Sequence, residues 1–133
     1  MITLDTSALY ELLDGLSPDY GVVRDAVAPE VGPLLVPVPI LAEITYLIET
    51  RLRAGVLDAF LEDLDHGAFA LDCCADDLPE VRRLVRRYAD LPLGFADASV
   101  IACAKRNGGR VLSLDRRDFG VVAREGFITL VPS

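Results

Sequence analysis

Histidine occurs once in this chain, at His66, and lysine once, at Lys105. A His-ligated metal centre or a Ser-His-Asp triad therefore has almost nothing to build on. His66 lies between Asp65 and Gly67, where a helix is predicted to end, and is expected at the surface. The three cysteines, Cys73, Cys74 and Cys103, are odd in number and form no C-x-x-C, which argues against a zinc site or a disulfide framework. They are expected to be reduced and buried. No apolar run reaches the ~18 residues that would span a membrane. The first residues, MITLDTSALYELLDG, lack a basic stretch and carry acids early, so they do not resemble a signal peptide. A cytoplasmic protein is expected.

What is present is apolar and acidic. The chain has 133 residues, 52% of them hydrophobic, with a mean hydropathy of +0.36. That suits one domain, residues 1–133, with a substantial core. The formal net charge is −8. Such a charge disfavours nucleic acid as a partner, unless acids gathered in one site hold divalent cations that reverse the local sign.

Short apolar stretches alternate with helical patterns. Strands are predicted at Met1–Asp5, at LLVPVP (ended early or bent by its prolines), at AFALDC, at RVLSLD and at FITLV. Helices are predicted at Ser7–Asp14, capped by Thr6 or Ser7, and within SPDYGVVRDAVAPEVG. Further helices are predicted at Ile40–Ala54, at Val56–Asp65, from an Asp76 or Asp77 cap to Asp90, and at Phe95–Arg106 before Asn107-Gly108-Gly109. The alternation indicates an α/β fold, with a central, mainly parallel five-stranded sheet covered by helices on both faces.

Four acids fall at one edge of such a sheet. Asp5 ends the first strand and Asp115 the fourth; Glu43 and Asp97 lie in the first turns of helices. C-terminal strand ends and the helix starts that follow them form the rim where open α/β sheets bind ligands. Glu43 and Asp97 also interrupt apolar helical stripes, whereas Asp58, Glu62 and Asp65 line a polar helix face. Each of the four taken alone has an ordinary explanation: a turn residue, a first-turn acid, a partner for an arginine. Taken together they favour a site. Two carboxylates about 5 Å apart repel by roughly 3 kcal/mol at an effective dielectric of ~20. Several such pairs call for a cation, and all-oxygen ligation suits Mg²⁺ or Mn²⁺.

These residues carry a resemblance. LDTSAL at the start, PVPILAEITYLI around Glu43, GFADASVIACAKRNGGRVLSLDRRDF through Asp97 and Asp115, and the final GFITLV resemble the PIN-domain nucleases, most closely the VapC-type toxins of toxin–antitoxin pairs. The likeness covers essentially the whole chain. It implies a single PIN domain acting as a metal-dependent endoribonuclease, with Asp5, Glu43, Asp97 and Asp115 as the acidic tetrad. One or two Mg²⁺ ions (Mn²⁺ as substitute) would bind there, with Asp118 as an auxiliary ligand. It also implies an RNA substrate, a cognate antitoxin and a homodimer. The family often has threonine two residues before the last acid; Ser113 keeps that hydroxyl. Ser7, Ser113, Arg116 and Arg117 are candidate RNA contacts, although the two arginines could equally pair with the neighbouring acids. Arg82, Arg83, Arg86 and Arg87 form a basic ladder on one predicted helix, which a solvated face partly paired with Glu80 and Asp90 explains somewhat better than phosphate binding.

Two other classes fit less well. A phosphoacceptor receiver domain also has an acidic rim but needs a lysine at a late strand end, and Lys105 falls inside a helix. A non-catalytic interaction module could share the fold, but would have no use for an intact tetrad.

Overall fold

The computed structural model describes residues 1–133. Five strands form one sheet in the order β3-β2-β1-β4-β5, with every neighbouring pair parallel. The strands are β1 (Ile2–Leu4), β2 (Leu34–Pro37), β3 (Phe69–Asp72), β4 (Arg110–Leu112) and β5 (Thr129–Val131). Around them lie α1 (Thr6–Leu13), α2 (Tyr20–Val27), α3 (Leu41–Arg51), α4 (Val56–Asp65), α5 (Leu78–Arg87), α6 (Phe95–Arg106) and α7 (Asp118–Arg124).

β1 occupies the centre. Successive strand residues point to opposite faces, and Ile2, Thr3 and Leu4 are all fully buried, so both faces are covered. The chain builds outward from β1 through β2 to β3, then returns to place β4 on the other side of β1. The switch in direction therefore lies between β1 and β4. Thr3 pairs with Val111 and Leu4 with Leu112, which sets Asp5 beside the residues that follow Leu112. Pro37 closes β2 and a 3-10 turn, Val38–Ile40, leads into α3, as expected of prolines that cannot extend a ladder.

α6 packs on β1 and β4, and α5 covers α6. Seven successive α6 residues, Ala98 to Ala104, are buried, which small side chains permit. Gly108 and Gly109, at φ +95° and +81°, end it, and the Gly109 amide bonds the Ala104 carbonyl at 2.7 Å.

Several local expectations are corrected. Asp5, not Thr6 or Ser7, caps α1: its side chain accepts from the Ala8 amide at 2.9 Å. Asp77 occupies the N-cap of α5 without making a capping bond, because its carboxylate is held by Arg106. α7 was not anticipated. Parallel neighbours need a crossover, and α7 supplies the one between β4 and β5, burying Phe119 and Val122 on a single face. Cys74 and Cys103 are buried thiols, whereas Cys73 is exposed. No helix is long and apolar enough to cross a membrane.

Candidate metal centre at the sheet rim

The acids from β1, β4, α6 and α7 meet at the C-terminal edge of the sheet. Ligand oxygens of Asp97, Asp115 and Asp118 all lie within 4.8 Å of one another. Asp97 comes from the first turn of α6, Asp115 from the segment after β4, and Asp118 from the first residue of α7. The Asp118 amide donates to Asp115 Oδ1 at 3.2 Å, which closes the turn and aims both carboxylates.

Asp5 lies deeper. It is 4% exposed and its two oxygens are taken up by the protein. Ser113 Oγ donates to Oδ2 at 2.5 Å, the Ala8 amide donates to Oδ1 at 2.9 Å, and Ser7 Oγ sits 2.9 and 3.0 Å from the two. Ser113 Oγ also accepts from the Asp115 amide at 2.9 Å, and Ser7 Oγ accepts from the Leu114 amide at 3.2 Å. The two serines thus lock the end of β1 to the turn that carries Asp115.

Burial pushes the Asp5 carboxyl up to about 6, against hydrogen bonds from Ser113, Ala8 and Ser7 that hold it down. Asp97 is also raised to about 6, first by burial and then by the charges of Asp5, Asp115, Asp118 and Glu43. All four other acids thus act on Asp97, and no arginine or lysine forms an ion pair with it. Arg117 reaches the cluster only from outside, bonding Asp118 at 3.2 Å with its side chain 78% exposed.

The remaining sequence candidates divide. Glu43, in the first turn of α3, is exposed instead of buried in an apolar stripe, and its charge is the smallest of those that raise Asp97. Ser113 is fully buried and its hydroxyl is engaged, which makes it a positioning residue and removes it as an RNA contact. Ser7 is half-buried and likewise tied to Asp5. Arg116 is exposed and bonds the Pro132 carbonyl, not an acid. His66 is exposed at the end of α4, as expected, and takes no part.

The family model for the PIN domain matches residues 2–125. The chain belongs to the PIN domain family. Ribonuclease VapC26 of Mycobacterium tuberculosis is 34% identical to it over 97% of this chain and 98% of the relative. Among solved structures, Mycobacterium tuberculosis VapC20, described as a Sarcin-Ricin loop cleaving toxin, superposes with a TM-score of 0.79 at 18% identity. That match covers 96% of this chain and 97% of VapC20. FitAcB from Neisseria gonorrhoeae superposes with a TM-score of 0.64 at 19% identity, covering 98% and 96% of the two chains. At these identities the two structures establish the fold, and the acidic rim lies where the PIN domain brings β1, β4 and α6 together.

A hard divalent cation suits the donor set of this PIN domain. The ligands are carboxylate oxygens alone, they converge, and their mutual repulsion is left uncompensated by any inward-facing arginine or lysine. Asp97, Asp115 and Asp118 could hold such an ion directly. Asp5 is the deepest acid, and Glu43 is the one most open to solvent.

Proposed function

We propose that this PIN domain is a Mg²⁺-dependent endoribonuclease, with Mn²⁺ as a substitute, acting as the toxin of a VapC-type pair. The observation that carries this reading is the convergence of Asp97, Asp115 and Asp118 within 4.8 Å, with Asp97 raised by the charges of Asp5 and Glu43 as well. The relative named a ribonuclease, 34% identical over nearly the whole chain, supports the reaction class. The reaction is hydrolysis of an RNA phosphodiester bond by water. A bound divalent cation would supply positive charge to the phosphate and acidify the attacking water.

The chain's own residues would hold and orient. Asp97, Asp115 and Asp118 would hold the positive charge in place, and Ser113 and Ser7 keep Asp5 and the Asp115 turn in register. No side-chain nucleophile is required, in keeping with a rim free of histidine and cysteine. RNA approaches across the exposed edge marked by Glu43, Arg116 and Arg117. The same reading carries with it a cytoplasmic location, a cognate antitoxin as partner and a homodimer as the assembly.

The test is cleavage of a mixed-sequence RNA by purified protein with Mg²⁺, with Mn²⁺ and with EDTA. Metal-restored cleavage that EDTA abolishes is the expected result. Cleavage that persists unchanged in EDTA overturns the metal reading, and no cleavage under any condition overturns the nuclease reading. Purification with the product of the neighbouring gene, under a tag on one of the two, tests the toxin role separately.

A further inference from the structure

The four arginines of α5 are not one ladder. Arg83 pairs with Glu80, which also holds Lys105 at 2.5 Å. Arg87 lies 3.7 Å from Glu125 and stacks its guanidinium over Phe127, 5.0 Å from the ring centroid. Arg83 is thus held within α5, where Glu80 makes the link to α6, and Arg87 ties α5 to the segment after α7. Arg82 and Arg86 are exposed and have neither a carboxylate partner nor an aromatic one, although Asp90 is only four residues beyond Arg86. They stand one turn apart on a separate row, their Cβ atoms about 5–6 Å apart. Leu78, 61% exposed, and Val85, 36% exposed, flank them. Burial of the helix is carried by Val81, Leu84 and the following Tyr88 on the opposite side, so Arg82 and Arg86 contribute nothing to the core.

The direction of the row follows from the packing of α5 on α6. Asp77 and Glu80 at the start of α5 hold Arg106 and Lys105 at the end of α6. The two helices are therefore antiparallel, and the Arg86 end of α5 lies toward the start of α6, where Asp97 sits. The connection after Arg87 runs past α7 as well: Tyr88 and Leu91 line one cavity with Val121 and Glu125. Arg86 is thus the nearer and Arg82 the farther of two free cations leading away from the acidic rim.

We propose that Arg82 and Arg86 form a track for the sugar–phosphate backbone of single-stranded RNA extending from the rim, an inference that rests on the ribonuclease reading of that rim. The partner is set by charge. In a protein of net charge −8, an unpaired cationic row spaced at one helical turn suits a polyanion with charges at regular intervals. Arg82 and Arg86 would hold phosphates without reading bases, raising affinity for long substrates irrespective of sequence.

The experiment measures binding of a labelled single-stranded RNA of ~20 nucleotides by fluorescence anisotropy across a salt series. It is done with Mg²⁺ in an Asp97→Asn background, which keeps the RNA uncut. The Arg82→Gln/Arg86→Gln pair is expected to bind about tenfold more weakly and to lower the slope of log affinity against log salt by about 1.4, since each phosphate contact to a single strand contributes ~0.7. The equally exposed pair Arg51→Gln/Arg53→Gln is the charge-matched control and is expected to change either quantity far less. Equal losses in the two pairs, an unchanged slope, or no salt-dependent binding by the parent overturns the proposal. So does RNA binding that survives in Arg82→Gln/Arg86→Gln while co-purification with the neighbouring gene product is lost, because the row then serves a protein. If wild-type protein cleaves no RNA but the row variants still lose binding, the ribonuclease reading fails and the track stands.

Discussion

At the start of α6, Asp97 meets Asp115 and Asp118; at its end, Arg106 is clasped by Asp72 and Asp77. Both regions gather carboxylates against the same helix, and both hold groups close enough to ligate a metal, since Asp72, Cys74 and Cys103 also lie within 4.8 Å of one another. Their electrostatics are opposite. Arg106 bonds Asp72 at 2.7 Å and Asp77 at 2.5 and 2.8 Å, and Asn107 Nδ2 and the Cys74 amide take up the remaining Asp72 capacity at 3.1 and 3.0 Å. Hydrogen bonds from Arg106 accordingly hold Asp72 down at about 2, while burial and like charge lift Asp97 to about 6. The Cys74 thiol is driven well above its ordinary range, chiefly by burial. An acidic cluster with its own cation is a structural tie. One whose central carboxylate has no cation of its own is under repulsion, which is the state a divalent cation would relieve.

The largest effect is expected where that repulsion is removed together with the ligand. Asp97→Asn should lower RNA cleavage by at least about a thousandfold, the scale on which an essential group acts. Its metal-free melting temperature should hold or rise, because one of the crowded charges has gone. Cleavage at the wild-type rate with Mg²⁺ would break the contrast between the two ends of α6. Ser113→Ala tests the support of the rim. It should cost about 10–100-fold in activity or metal affinity, the usual consequence of losing a hydrogen bond to a ligand set. Metal affinity is read by titration and folding by circular dichroism. Unchanged values in both would return Ser113 to the role of a mere core polar residue.

Much of this contrast was legible in the sequence, and the missing part has physical causes. Asp5, Asp97 and Asp115 stand at strand ends or helix starts, so the α/β pattern alone sends them to one edge. Glu43 was placed on the correct helix, but its exposure depends on which face of α3 packs inward, and its neighbours in sequence do not decide that. α7 was hidden because it is seven residues long, begins with charged residues and contains Gly120, a poor helix former. Its presence turns Asp118 from a residue one turn past Asp115 into a first-turn helix acid. The Asp72–Asp77–Arg106 tie left no local signal. Asp77 looks like a helix cap, and its partner lies 29 residues away.

The structural end of α6 should fail differently. Arg106→Met leaves Asp77, 5% exposed, without its main partner. Stranding a buried carboxylate costs about 1–3 kcal/mol, at the lower end here because the Arg106 side chain is 43% exposed and water can replace part of the pairing. Chemical denaturation should show the loss, while cleavage per folded molecule stays at the wild-type level. Adding Asp77→Asn to Arg106→Met should recover part of the stability. A fall in cleavage without a fall in stability would mean that the two ends are not separate.

The smallest effect is a difference in how the two ends respond to pH. Asp5 and Asp97 have folded-state values near 6, above the ordinary carboxylate value of 3.8, so the folded protein binds more protons than the unfolded chain between those limits. Metal-free stability should therefore fall as pH rises from about 4 to about 6, through these two groups. Asp72 acts in the other direction. With its folded value near 2, its contribution is full above 3.8 and is lost as pH falls toward 2. In EDTA the melting temperature should thus rise from pH 2 to about 4 and then decline toward neutrality. Millimolar Mg²⁺ or Mn²⁺ should leave the acidic limb untouched, where the rim is protonated. It should raise the neutral limb, because an ion that binds only the folded rim stabilises it by mass action. Scanning calorimetry across pH 2–8, with and without metal, separates the two limbs. A metal-induced rise as large at pH 4 as at pH 7 would place the ion somewhere other than the raised carboxylates.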